Sequence, residues 1–166
     1  MGLILSVPST AKAQTSDSLM VAHLQKVGVT FSNDNQVTLL MNGQEKFDDL
    51  FKAIDQARKS IHMEYFNFRN DSINRLLISH LAPKVKEGVE VRLLFDGFGN
   101  FSNNQPMRRS DLDSIRAKGI EIYEFNPVRF PFINDIWSRD HRKIVVIDGL
   151  VAYTGGMNVA DYYING

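Results

Sequence analysis

Residues 141–148 read His-Arg-Lys-Ile-Val-Val-Ile-Asp, an H-x-K-x4-D pattern, and Gly155-Gly156-Met157-Asn158 follow shortly after. Side chains alternate faces along an extended backbone, so His141 and Lys143 would point the same way if this segment is a strand. An imidazole beside a fixed ammonium can attack phosphorus: the ring nitrogen forms the bond and the cation neutralises the oxygens. A histidine and a lysine two apart are commonplace on an exposed strand. Their combination with an aspartate, a glycine pair and an asparagine at these spacings is what points to chemistry.

The elements that must position these groups can be read outward from the motif. Residues 140–147 alternate and are rich in β-branched side chains, so they predict a strand. Asp148-Gly149 is a strong hairpin signal, and Leu150–Thr154 reads as the returning strand. A two-residue turn would pair Ile147 with Leu150. Lys143 would then face Thr154, His141 would face Gly156, and Asn158 would lie one pair beyond on the same face. Thr154, Gly155, Gly156 and Asn158 are therefore the candidate phosphate ligands, the glycines leaving room for oxygens to approach the backbone. Asp148 is different. Seven residues of strand put it about 23 Å from His141, and on the opposite parity, so a role bracing the turn or a neighbouring element is expected.

Upstream, strand and helix patterns alternate. Gln36–Met41 reads as a short strand, and Phe47, Leu50, Phe51, Ile54 and Ala57 form one apolar helical stripe. In the strand Ser60–Phe68, Ile61, Met63 and Tyr65 share one face while His62, Glu64 and Phe66 share the other; Glu64 reads as a surface ion pair. Asp71 is placed to cap a helix that Pro83 should bend or interrupt. Val89–Phe95 is nearly continuously apolar, as in a parallel strand covered on both sides. Gly97–Pro106, rich in Gly, Asn and Ser, follows a strand's carboxyl end where α/β sheets place ligands, so it could serve the site; a mobile connector is the default reading. Ser110 with Asp113 should open a helix that Gly119 closes, before a strand over 120–125. This order predicts an α/β fold with a mixed, largely parallel sheet flanked by helices.

Composition bounds the partners. The 166 residues carry 19 basic and 19 acidic side chains, so the net charge is zero and there is no basic field to support a nucleic-acid partner. There is no cysteine, which excludes disulfides and thiolate metal sites. No run is long and apolar enough to span a bilayer. Residues 1–30 read as a leader: Met1–Val7 is apolar and Ala11-Lys12-Ala13 precedes Gln14 as a small-residue cleavage site would, although no basic segment comes first. A signal-peptide remnant, and hence periplasmic exposure, is the expectation, with a plain flexible leader as the alternative. Residues 31–166 form the expected domain. Within it, Phe130, Phe132 and Trp137 stand beside Arg129 and Arg139, a mixture suited to the lipid–water interface and equally to packing on the domain itself.

The stretch from Ser138 to Tyr163 resembles the first catalytic motif of the phospholipase D superfamily, most closely that of bacterial cardiolipin synthases. Gln36–Phe68, Gly88–Asp96 and Gly119–Pro127 resemble that family's preceding strands and helix. The resemblance implies a two-step phosphodiester exchange in which His141 attacks phosphorus while Lys143 and Asn158 neutralise the non-bridging oxygens. Asp148 completes the motif. No metal or cofactor is implied, because two cations and amide donors replace it. The implied substrate is an anionic phospholipid of the phosphatidylglycerol type at a bacterial membrane surface. Hydrolysis, a homodimeric phosphodiesterase or nuclease, and an inactive half-domain are the alternatives.

The same resemblance implies a second histidine, drawn from a second motif, to protonate the leaving oxygen. Gln25, Glu64 and Ala82 stand two residues after His23, His62 and His80, so none of these begins another H-x-K. The expectation is therefore a fragment holding half an active site, completed by a second catalytic half or by a second copy of the chain.

Overall fold

The computed structural model describes residues 10–31, 34–129, 131 and 137–164. The chain divides into two compact units, residues 1–39 and 40–166. In the first, where the sequence suggested a leader, Thr10–Lys26 forms helix α1. Residues 1–9, with the apolar Met1–Val7, lie outside the described residues. Among the described residues no helix is long and apolar enough to cross a membrane.

The boundary between the units carries a correction. Residues 36–41 are not a strand. Val37, Leu39 and Met41 are 92%, 79% and 70% exposed, so β-type side chains find neither a neighbouring strand nor a core there. The segment instead runs into the cap of helix α2 (Gly43–Gln56), where Asn42 accepts the Glu45 N–H at 2.9 Å and the Glu45 carboxylate accepts the Met41 N–H at 2.8 Å.

Five strands follow: β1 (Ser60–Tyr65), β2 (Glu90–Asp96), β3 (Glu121–Phe125), β4 (Lys143–Ile147) and β5 (Val151–Thr154). They form one sheet in the order β3-β2-β1-β4-β5. The β1–β2 and β2–β3 pairs are parallel, while β4 runs antiparallel to both β1 and β5. The sheet is mixed, with only β4 opposed. Helices α3 (Ser72–Lys86), α4 (Gly97–Phe101) and α5 (Arg109–Arg116) make the crossovers.

The core lies on one face of the sheet. Ile61, Met63 and Tyr65 of β1, Val91, Leu93 and Phe95 of β2, and Val145 and Ile147 of β4 are buried in a single cluster with Phe47, Leu50 and Ile54 of α2 and Leu77 and Leu81 of α3. The apolar stripes at helical spacing thus meet the alternate residues of the strands. The opposite face corrects the expectation for β2. Its burial alternates instead of being continuous: Glu90 and Arg92 are exposed and Leu94 is half-buried. Tyr123 of β3 is 57% exposed on the same side.

Two further corrections concern helices. Pro83 does not interrupt α3, which runs on to Lys86. Pro83 and Ser79, whose carbonyl loses its helical donor, both lie on the exposed side where water can take that bond. Helix α5 opens at Arg109, capped not by Ser110 but by the Asp111 carboxylate, which accepts the Arg108 N–H at 2.8 Å. Asp71 does cap α3, accepting the Asn74 N–H, and Gly119 follows α5 at φ +83. The Gly97–Pro106 connector is built structure: α4 occupies its first half, and Asn100 bonds Met107 twice.

Candidate active site

The β4–β5 hairpin differs from its expected register by one residue. Ile147 pairs with Val151 and Ile144 with Thr154. Asp148 at φ +56 and Gly149 at φ +71 turn the chain, and Leu150 joins them in a three-residue loop, its N–H bonding Ile147 O at 3.0 Å. The cause is Asp148. Its N–H pairs with Ser60 O at 2.8 Å, extending the β1–β4 ladder one step further. Its carboxylate accepts the N–H groups of Arg58, Lys59 and Ser60 at 2.8, 2.7 and 2.9 Å. These bonds hold its carboxyl below the usual carboxylate range. Asp148 therefore braces the entry to β1, as its distance from His141 required.

One consequence falls on the ligand set. Thr154, paired with Ile144, lies on the face away from Lys143, so the structure does not bring it to the candidate site. Gly155 and Gly156 follow the end of β5 at Thr154. A Cβ added at Gly155 or Gly156 would meet nothing within 4 Å, so the protein itself does not require glycine at either position.

Strand β4 begins at Lys143, and His141 precedes it in irregular backbone. The two side chains nevertheless converge. The His141 ring meets the Phe66 ring edge-on at 4.7 Å, and the Lys143 ammonium lies 5.2 Å from the same ring. Lys143 is buried and donates to the His141 carbonyl at 2.6 Å, whereas His141 is exposed. Burial lowers the Lys143 pKa, partly opposed by Tyr163 and Asp140.

Asn158 reaches this cluster through the segment after β5. Phe68 bridges Val159, the Asn158 Oδ1 accepts the Asn67 N–H at 3.2 Å, and its Nδ2 donates to the Tyr163 hydroxyl at 3.3 Å. Asn103 donates to Asn67 Oδ1 at 2.9 Å. A reciprocal pair fixes the segment to α3: Asp161 accepts from Ser72 and Ile73, and Asp71 accepts the Asp161 N–H at 2.8 Å.

The loop carrying His141 is held from two sides. Asp96, fully buried at the end of β2, accepts the N–H groups of Phe98, Gly99 and Asp140 at 2.8, 3.0 and 2.8 Å, and the Arg139 guanidinium at 3.3 Å. Gly99 must be small, because a Cβ there would stand 2.0 Å from the Phe66 carbonyl oxygen. On the open face of the sheet, Arg142 spans Glu64 at 2.9 Å and Asp140 at 3.0 Å. A hydrogen bond to Asp140 and burial raise the Glu64 pKa to about 7, while Asp140 is lowered. Glu64 thus makes the expected ion pair, with Arg142, and lies on β1 opposite Ile144 of β4, beside the candidate strand.

Sequence reading missed Phe66, Asn67, Asp96, Asp140 and Tyr163. Asp96 carried a signal, being a lone acid that ends an apolar strand before Gly-Phe-Gly. Phe66 and Asp140 meet the motif where β1 pairs with β4, and Asn67 and Tyr163 meet it through Asn158 in the segment after β5. Trp137 is 90% exposed; Phe130 and Phe132 lie outside the described residues. Among the described residues no group of three histidine, cysteine or acidic side chains could hold a metal ion. The other histidines of this unit are engaged elsewhere, His62 with Glu90 at 2.6 Å and His80 with Asp55 at 2.8 Å.

Comparison with known proteins places this arrangement among relatives. Residues 50–165 match the family model described as "Cardiolipin synthase, PLD-like domain". Cardiolipin synthase 2 of Staphylococcus epidermidis is 40% identical over 134 residues, covering 80% of this chain and 27% of that protein. Cardiolipin synthase of Geobacillus kaustophilus is 40% identical over 131 residues, covering 78% and 25%. The chain thus spans about a quarter of the length of these curated relatives. Among solved structures, the phospholipase D family member Nuc of Salmonella typhimurium superposes with a TM-score of 0.53 at 22% identity, covering 70% of this chain and 66% of that one. NucT of Helicobacter pylori gives 0.54 at 17% identity, covering 72% and 70%. These two likenesses concern the fold.

Proposed function

The chain belongs to the phospholipase D-like domain family of cardiolipin synthases, and from that premise we propose that it supplies the nucleophilic half of a phosphatidyl-transfer site. The observation that carries this reading is the convergence of an exposed imidazole and a buried ammonium on Phe66, with the Asn158–Tyr163 pair beside them.

In the first step a His141 ring nitrogen bonds to the phosphorus of an anionic glycerophospholipid. The bond from phosphorus to the leaving glycerol oxygen breaks, and that oxygen takes a proton from a general acid. In the second step another lipid's glycerol hydroxyl attacks the phosphohistidine. Its proton passes to the same group, now a base, and the P–N bond breaks. The Lys143 ammonium and the Asn158 amide stabilise the charge that builds on the non-bridging oxygens. His62 and His80 are tied to Glu90 and Asp55, so the general acid in this reading comes from a second motif or a second copy of the chain.

The substrate class follows from the relatives' names and from neutral net charge, which gives no support to a polyanionic substrate. Trp137, almost fully exposed, suits a chain that works at a bacterial membrane surface. The test is product analysis. The complete gene product, given vesicles of phosphatidylglycerol labelled in the headgroup, should release free glycerol and form a lipid with two phosphatidyl groups. Phosphatidic acid as sole product would replace transfer with hydrolysis, and no turnover of any phospholipid would overturn the reading.

A further inference from the structure

Lys46 lies outside the catalytic motif, in the first turns of α2, and its surroundings are not those of a surface lysine. Its ammonium donates to the Met157 carbonyl at 3.2 Å and reaches the Asn158 carbonyl at 3.5 Å. It also stands 4.3 Å from the centre of the Phe47 ring and 5.0 Å from that of Tyr65. Among the described residues no carboxylate is ion-paired with it. A cation in such a place carries a desolvation cost, and aromatic faces and carbonyl dipoles offset it only in part. Its pKa is correspondingly lowered to about 7, burial being the cause.

A second observation concerns the same helix end. A Cβ added at Gly43 would stand 2.0 Å from the Tyr163 carbonyl oxygen, so α2 and the chain at 163–164 are in backbone contact that only glycine permits. The opening of α2 therefore grips one short segment at two points. Lys46 holds residues 157–158, and Gly43 abuts Tyr163. Between those points lie the Asn158 amide and the Tyr163 hydroxyl, which bond each other beside Lys143.

We propose that Lys46 is a positioning residue for the anion site: it fixes the Gly155–Asn158 loop from behind so that the Asn158 amide is presented to a bound phosphate group together with Lys143. This rests on the functional reading above. Lys46 does not itself contact the anion in this arrangement, because its ammonium, on a half-buried side chain, is turned to the two carbonyls. A cation held by carbonyls and rings, instead of by a carboxylate, also leaves no fixed negative charge to repel a phosphodiester. The titratable groups on the elements around it are Glu45 and Asp49 of α2, Tyr65 of β1, which burial keeps neutral far above its usual range, Lys143 of β4, Tyr153 of β5, which bonds Asp49, and Tyr163.

The test uses the complete gene product as wild type, Lys46→Met and Lys46→Arg. Tungstate is the probe, a phosphate mimic that does not titrate near neutrality. In the wild type, the amide resonances of Gly155, Gly156 and Asn158 should titrate with a midpoint near pH 7; this step should vanish in Lys46→Met. Arginine stays charged across that range, so Lys46→Arg should show the low-pH resonances throughout. Tungstate affinity should fall roughly tenfold in Lys46→Met, the size of one misplaced hydrogen-bonding group, and recover in Lys46→Arg. Folded Lys46→Met with wild-type loop resonances and unaltered tungstate affinity would overturn the proposal. Absence of tungstate binding by the wild type would instead strike the functional reading, and the amide titration would still decide whether Lys46 sets the loop.

Discussion

At the scale of single residues, proton position is the variable. A hydrogen bond to Asp140 and burial raise the Glu64 pKa, and Arg142 bridges both carboxylates. The Glu64 pKa is raised from 4.5 to about 7, so between those values the native protein holds a proton that the unfolded chain has lost. By linkage, this group's contribution to stability falls as pH rises from 4.5 to 7. Asp140 is lowered, so its contribution is lost only as pH falls below its ordinary value of 3.8. Glu64→Gln, whose amide can donate to Asp140 at any pH, should remove the decline. A single unit of differential pKa is worth about 1.4 kcal/mol, so urea denaturation at pH 4.5 and 7.5 resolves it. Equal pH slopes in variant and wild type would refute the raised Glu64 pKa.

Asp148 makes a second residue-scale case. Removing its carboxylate in Asp148→Ala strips the acceptor from three backbone N–H groups at the start of β1. The expected loss is in Tm, with anion binding preserved in the molecules that remain folded. Calorimetry set beside a tungstate titration separates the two. A selective loss of anion binding without any change in Tm would mean the aspartate acts at the site.

At the scale of elements, the hairpin register decides which residues share a face. Thr154 lies opposite Ile144, away from Lys143, so Thr154→Val should leave phosphate-analogue binding within roughly twofold of wild type, as for a surface change. Gly156→Ala meets no protein atom, and its Tm should be unchanged. Its ligand affinity should fall if oxygens approach that backbone. Much of this was legible in the chain. The apolar stripe of Phe47, Leu50 and Ile54, the alternation in β1 and the caps at Asp71 and Gly119 all follow from local periodicity and turn chemistry. The register did not follow from them. Asp-Gly reads as a two-residue turn, and only the non-local demand of the Arg58–Ser60 amides on Asp148 adds the third residue. The convergence on Phe66 and the Asp96 anchor were hidden for the same reason: each joins segments brought together by strand pairing alone.

At the scale of the whole molecule, one H-x-K motif lies within a chain that spans about a quarter of its curated relatives. The 166-residue polypeptide by itself is expected to show little turnover, since no second histidine of the described unit joins His141. The membrane side of the account rests on Trp137. Trp137→Ser should weaken binding to anionic vesicles in a sedimentation assay while leaving tungstate binding intact, because an exposed indole contributes at headgroup depth and not to the anion pocket. Unchanged sedimentation would remove the interfacial role from this residue.

The most direct measurement is of the covalent intermediate. The complete gene product is mixed with phosphatidylglycerol carrying radioactive phosphorus, quenched within one turnover and separated from free lipid. Label should remain on the protein in alkali and leave it in mild acid, as a phosphorus–nitrogen bond does, and His141→Asn should carry none. Label that survives in His141→Asn, or that withstands acid in the wild type, would contradict the assignment of His141 as the nucleophile.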